Sequence, residues 1–167
     1  MTKDGETLAT LAARVAAALK DRGAVLATAE SCTGGWVAQC VTSVAGSSEW
    51  FERGFVTYSN ESKEELLGVR RGTLDAHGAV SEATAREMAA GTLARSRASV
   101  AVAVTGVAGP GGGTPAKPVG TVCFAWTLRG ASERSATRTF AGDREAVRRQ
   151  SVVAALEGVI AMLEQEK

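Results

Sequence analysis

The stretch "SVAVAVT", residues 99–105, decides the fold. Its valines and alanines alternate, so neither face of an extended segment is polar. A strand that is apolar on both faces belongs in the middle of a sheet, with helices packed above and below it. A second short apolar run, "AVLATA" (24–29), reads as another buried strand. "GFVTYS" (54–59) reads as a third, and "VGTVCFAWTL" (119–128) and "ERSATRTFAG" (133–142) as a strand pair. Between them lie helical patterns. Leu8, Leu11, Val15 and Leu19 recur at helical spacing, which predicts a helix over 6–20. "VAQCVTSVA" predicts a helix starting near Thr33. "ESKEELLGV" predicts a short helix with Asn60 or Ser62 as its cap, Ser62 and Glu65 fitting a capping box. A longer helix starts at Ser81, and a last one near Asp143, with Val152, Leu156, Val159, Ile160 and Leu163 on one face. Strands alternating with helices predict an α/β fold: a three-layer α/β/α sandwich around a mixed, mostly parallel sheet.

Composition narrows the functional classes. The 167 residues suit one domain, here taken as 1–167, and 45% of them are hydrophobic, enough for a real core. The net charge of +1 offers no bulk electrostatic attraction to nucleic acid. No apolar run reaches membrane-spanning length. The first residues carry acids at Asp4 and Glu6 within an amphipathic pattern, unlike a secretory leader. Cys32, Cys40 and Cys123 are odd in number and show no CxxC spacing, which favours a reduced, cytoplasmic setting. His77 is the only histidine. A multi-histidine metal site is therefore impossible, and any Ser-His-Asp or Cys-His arrangement would have to use that residue.

Ligands of open α/β sheets bind beyond the carboxyl ends of strands. Two segments fall there. Ser31-Cys32-Thr33-Gly34-Gly35 joins a strand to a helix, and Thr105-Gly106 follows the central strand at the start of the Gly- and Pro-rich loop 106–120. Neither matches a dinucleotide or P-loop fingerprint. Free amides and a helix dipole at the first segment would suit an anion. Equally, Thr33 is a good N-cap and the glycines permit tight turns.

Residues 46–69, "GSSEWFERGFVTYSNESKEELLGV", hold two serines, a tyrosine and a lysine without a histidine. A serine hydroxyl needs a base before it attacks a carbonyl, and where histidine is scarce a neutral lysine is the next candidate. Lys63 stands near a helix start, where the dipole disfavours its charge. On residue chemistry alone the plainer roles stay open. Ser47 and Ser48 can cap the "EWFE" turn, Lys63 can pair with Glu61 or Glu64 in water, and Tyr58 can be a core residue with a wet hydroxyl.

Four blocks carry a resemblance: "TAESCTGGWVAQCVTSVAGSSEWFERGFVTYSNESKEELLGV", "GAVSEATAREMA", "VAVTGVAGPGGGTPAKPVGTV" and "GDREAVRRQ". In this order, over roughly residues 8 to 160, they resemble the CinA C-terminal domain family, in its stand-alone amidase form. The resemblance implies hydrolysis of nicotinamide mononucleotide to nicotinate mononucleotide and ammonia, in pyridine-nucleotide salvage. It implies a homo-oligomer (a dimer or larger), a small-molecule nucleotide substrate, and no metal or organic cofactor. The family's serine, tyrosine and lysine positions fall on Ser48, Tyr58 and Lys63, with Ser31 in the same site. The Ser47-Ser48 doublet leaves open which hydroxyl attacks. For the phosphate the candidates are Thr33, Gly34, Gly35, Thr105, Gly106 and an arginine, Arg144 or Arg148, although Arg148 is equally suited to a salt bridge on its helix. A non-catalytic nucleotide-binding regulatory module of the same fold is the alternative function. Intact Ser48, Tyr58 and Lys63 favour the enzyme.

Overall fold

The computed structural model describes residues 6–165, so Asp4 lies outside the described residues. In chain order the elements are α1 (Leu8–Asp21), β1 (Leu26–Glu30), α2 (Trp36–Thr42), a 3-10 turn (Ser47–Glu49), β2 (Phe51–Val56), α3 (Asn60–Leu67), α4 (Arg71–His77), α5 (Glu82–Ala94), β3 (Val100–Gly106), β4 (Thr121–Leu128), β5 (Glu133–Thr139) and α6 (Arg144–Gln165). The five strands form one sheet in the order β2-β1-β3-β4-β5. β3, the alternating valine and alanine stretch, is the middle strand, and all but its last residue are buried. It runs parallel to β1 and antiparallel to β4. β1 and β2 pair in parallel, β4 and β5 antiparallel. The sheet is thus mixed, with parallel and antiparallel pairings in equal number rather than weighted toward parallel. The β4–β5 hairpin, whose connection spans only 129–132, accounts for one antiparallel pairing, and β4 reverses against β3 after the longer loop 107–120.

The alternation in β3 sorts the two faces by size. Val100, Val102 and Val104 lie on one side with Leu26, Val122, Phe124 and Trp126, under α1, α2 and α6. Ala101 and Ala103 lie on the other with Ala27, Ala29, Cys123 and Ala125, under α3, α4 and α5. The bulky face is filled by rings: Phe124 and Trp126 stack with centroids 5.5 Å apart, and Trp126 Nε1 donates to the Ala155 carbonyl at 2.9 Å. The alanine face has little side-chain volume, so α5 can settle close to the sheet. Its own Gly91 continues that economy, lying directly against the Leu67 carbonyl at the end of α3.

Several helix starts differ from the sequence expectation. α1 is capped by Thr7 and begins at Leu8. α3 is capped by Ser59, whose hydroxyl accepts from the Ser62 amide at 3.1 Å, while Ser62 donates back to the Ser59 carbonyl. Asn60 is therefore the first helical residue, and the Ser62/Glu65 capping box is not formed. α2 begins at Trp36, not near Thr33, because Gly34 and Gly35 adopt left-handed φ of 60° and 98° and hold the chain in a turn. α4 carries no strong periodicity and was not anticipated. Ser81 and Asp143 do cap α5 and α6.

The Gly91 contact is testable. A methyl group there would run into the Leu67 backbone, which cannot rotate away. Gly91→Ala should lower unfolding stability by about 1–3 kcal/mol, although alanine is the better helix former. Urea denaturation should show a lower midpoint with an unchanged slope.

Candidate active site

The helix α3 explains why Lys63 is where it is. Positions 63 and 67 lie one turn apart on the same face. Leu67 is buried in the core, so Lys63 is carried inward with it. Helical side chains lean toward the N-terminus, which sends this one back past the start of α3. Lys63 is only 1% exposed. Its Nζ donates to the Thr57 carbonyl at 2.8 Å and lies 3.1 Å from Ser31 Oγ. No carboxylate pairs with it among the described residues, so burial dominates and holds the amine's pKa below the ordinary lysine value. The Glu61 and Glu64 partners suggested by sequence are not used; Glu64 pairs with Arg71 instead.

Ser31 follows β1 immediately. Its amide donates to the Val104 carbonyl at 2.9 Å, which anchors it to β3, and its carbonyl accepts from Gly34. The turn that follows is held from two sides. Glu30, 1% exposed, accepts the amides of Val37 and Ala38 at 2.7 and 3.0 Å. A carboxylate at the end of a strand thus caps the next helix, a role that sequence reading had given to Thr33. The Thr33 hydroxyl is buried and has no hydrogen-bond partner. On the other side Arg148 of α6 donates to the carbonyls of Cys32 and Thr33 at 3.0 and 3.1 Å, with its guanidinium 5.4 Å from the Trp36 ring centre.

The cleft over this point has a volume of about 220 Å³ and is lined by both partners and by Tyr58, Asn60, Thr105, Gly106 and Arg144, with apolar walls from Ala79, Val80 and Ala108. Thr105 itself is tied down, its hydroxyl donating to the Ala79 carbonyl at 2.8 Å. Tyr58 is 61% exposed at the rim. Its hydroxyl accepts from Arg144 at 3.0 Å, and Arg144 also donates to the Gly109 carbonyl at 2.8 Å. The lining therefore carries two basic side chains, Lys63 and Arg144, and no carboxylate, a balance suited to an anionic ligand.

Three sequence expectations are corrected here. Ser48 is not beside Lys63. It stands exposed in the 3-10 turn before β2, whereas Thr57, Tyr58 and Lys63 follow that strand. β2 is six residues long, so the two ends lie roughly 20 Å apart at ~3.3 Å per residue. Ser47 shares that end, and Ser31 is the serine that meets the lysine. Next, Thr33, Gly34 and Gly35 are not among the residues lining the cleft, and the first amides of α2 are already taken by Glu30. Finally, Arg148 is engaged with backbone carbonyls, while Arg144 reaches the cleft. A signal for the Ser31–Lys63 pair was present: one residue ends a buried strand, the other shares a helix face with a core leucine. Nothing local announced that Glu30 would cap α2 or that Arg144 would meet Tyr58.

Cys32, next to Ser31, is no competitor as nucleophile. Burial, with a smaller contribution from Glu30, pushes its thiol up to about 12. The thiolate that would attack is scarcely populated at neutral pH. Among the described residues no cluster of His, Cys, Asp and Glu could hold a metal ion, and no helix is long and apolar enough to cross a membrane.

Comparison with known proteins agrees with this architecture. The CinA C-terminal domain profile matches residues 8–163. The chain is 56% identical over 147 residues to the nicotinamide-nucleotide amidohydrolase PncC of Escherichia coli K12, covering 88% of this chain and 89% of the relative. It is 52% identical over 155 residues to a protein of the same name from Pseudomonas putida, covering 93% and 96%. Among solved structures, the competence damage-inducible protein A of Klebsiella pneumoniae superposes with a TM-score of 0.93 at 43% identity, covering 97% of this chain and all of the other. The chain belongs to the CinA C-terminal domain family.

Proposed function

We propose that this protein is a nicotinamide-nucleotide amidohydrolase that converts nicotinamide mononucleotide to nicotinate mononucleotide and ammonia. The observation that carries the chemistry is the buried Lys63 amine, 3.1 Å from Ser31 Oγ in a cleft with no competing carboxylate. The relatives' shared name supplies the substrate class. The enzyme acts in pyridine-nucleotide salvage in the cytoplasm, as one catalytic domain that assembles into a homo-oligomer.

The attack uses the neutral form of Lys63, which burial favours relative to an ordinary lysine. One N–H stays on the Thr57 carbonyl, and the lone pair faces the Ser31 hydroxyl. Ser31 Oγ attacks the carboxamide carbon as Lys63 takes its proton. The pyridinium ring withdraws electrons from that carbon and favours the attack. The tetrahedral adduct collapses when the Lys63 ammonium returns the proton to the departing nitrogen, which leaves as ammonia. Water then attacks the ester, Lys63 again accepts a proton and passes it back to Ser31 Oγ, and nicotinate mononucleotide is released. Overall, one water is consumed and one ammonia formed. Tyr58 stands at the cleft rim, where its ring can stack on the cationic pyridinium, a favourable contact for a π system. Arg144, fixed by Gly109 and Tyr58, provides the charge for the phosphate.

Four measurements test this reading. Pure protein should release ammonia from nicotinamide mononucleotide, and Ser31→Ala should lower kcat by roughly 10³-fold or more. Ser48→Ala, at the far end of β2, should stay within about threefold of the parent; the reverse pattern would return the nucleophile to Ser48. Arg144→Ala should raise KM for the mononucleotide about tenfold with a smaller change in kcat, reflecting the loss of a charged hydrogen bond.

Lys63 makes a prediction about both activity and stability. Its rate contribution requires the neutral amine, so kcat/KM should rise with pH through a pKa below that of free lysine and then level off. The same depressed pKa means that the folded state binds fewer protons than the unfolded chain between that pKa and the ordinary one. Its burial cost is therefore greatest below the folded pKa and is relieved as pH rises toward 10.5. Lys63→Met should be inactive yet melt at least as high as the parent at pH 7. An inactive variant that also melts much lower would make Lys63 a structural residue.

A further inference from the structure

β3 turns Val100, Val102 and Val104 toward α1, α2 and α6, and Ala101 and Ala103 toward α3, α4 and α5. Thr105 comes next in this alternation, so its side chain falls on the alanine side. There its hydroxyl reaches the Ala79 carbonyl, between α4 and α5. β1 alternates in step. Ala27 and Ala29 share the alanine side, Glu30 turns to α2, and Ser31 returns to meet Lys63 of α3. The parallel register sets Ala29 beside Ala103 and Glu30 beside Val104. Ser31 and Thr105 are the next pair along it, on chains ~4.8 Å apart. Both line the cleft, and Thr105 is 1% exposed.

The Thr105 hydroxyl has only half of its hydrogen-bonding capacity left. A backbone carbonyl can only accept, so the hydroxyl proton is committed to Ala79 at 2.8 Å. What the oxygen offers a ligand is lone-pair density. A carboxamide brought to Ser31 has two unlike ends, an N–H2 that donates and a C=O that accepts. We infer that Thr105 Oγ1 accepts an N–H of the substrate's carboxamide, which sets the leaving nitrogen beside β3 and turns the carbonyl oxygen away from it. The hydrolysed product carries a carboxylate in the same place. It has no N–H to give, and its lone pairs meet that of Thr105. One hydroxyl thus favours amide over acid, holding the substrate and easing release of the product. Thr105 thereby belongs to the reacting end of the cleft rather than to the phosphate, where its place after the central strand had suggested it. This inference rests on Ser31 being the nucleophile.

The test measures binding by calorimetry in the whole chain, with Ser31→Ala present to stop turnover. Three ligands are compared: nicotinamide mononucleotide, its 3-acetylpyridine analogue, in which a methyl group replaces the N–H2, and nicotinate mononucleotide. The amide should bind about tenfold more tightly than either of the others. Adding Thr105→Val, which keeps the shape and removes the oxygen, should bring the three within about twofold of one another. The amide should lose affinity, the ketone should hold and the carboxylate should gain. Thr105→Ser, which keeps the hydroxyl, should keep the preference. If Thr105→Val does not melt cooperatively, Thr105→Ala reads the same ratios. Equal weakening of all three ligands would leave Thr105 a structural tie to Ala79 and overturn the inference. Selective loss of the ketone and the carboxylate would make Thr105 a donor to the substrate's oxygen, with the same result. So would weaker binding of the mononucleotides beside unchanged binding of nicotinamide riboside, since that is a phosphate contact. A Ser31→Ala protein that keeps its rate sinks the nucleophile reading itself; an inactive Ser31→Ala whose preference for the amide survives Thr105→Val sinks only the assignment of Thr105.

Discussion

A lysine amine is stripped of water at the carboxyl edge of the sheet, and the rest of the site is arranged around that fact. Lys63 Nζ has two oxygen neighbours, the Thr57 carbonyl and the Ser31 hydroxyl, and no anion. Burial disfavours the ammonium, and it outweighs the opposing effect of the Cys32 thiol nearby. Stability alone would not select such a position, since a methionine of similar length would fill it at lower cost. The proposed role as a base that works without histidine would account for it.

The sheet provides the rigidity. β1 and β2 run parallel, so the segments that leave their carboxyl ends, Ser31 from one and Thr57 from the other, emerge side by side. Thr57 itself donates its amide to the Glu30 carbonyl, continuing the parallel ladder past the strands. β3 pins Ser31 from the opposite side through Val104. Ser31, Thr57 and Thr105 therefore stand at the carboxyl ends of three adjacent strands, β1, β2 and β3. The alanine face beneath them lets α3 and α5 approach closely, and α3 delivers Lys63 to that edge. Core packing and the geometry of the candidate site share the same residues: Leu67 fixes the helix rotation that buries the amine.

The turn between β1 and α2 shows how polar groups substitute for regular structure. Its glycines adopt left-handed angles, so the chain cannot continue as helix from Thr33. The amides that the late helix start leaves open are met by Glu30, and the turn's outward carbonyls by Arg148. Both groups are charged and both spend their charge on backbone. The guanidinium of Arg144, beside the amine of Lys63, is left to the cleft, which is consistent with a substrate that carries a phosphate.

Much of this was determined by the linear sequence. Alternation of valine and alanine in 99–105 was enough to place the central strand and to demand helices on both faces, because side-chain period and burial are local properties. Helical spacing located α1 and α6, the segment from Ser81 indicated α5, and the reactive types were visible as a serine after a strand, a tyrosine and a lysine near a helix start. Only the tertiary structure decided which serine meets the lysine. Ser48 is nearer to Lys63 in sequence than Ser31 is, but an extended strand lies between them and carries them to opposite ends of the sheet. Ser31 is 32 residues away and adjacent in space. The same holds for Glu30 capping α2 and for Arg148 reaching Cys32 across 116 positions. Pairings of this kind depend on strand direction and order, which arise when the sheet assembles and leave no local pattern in the chain.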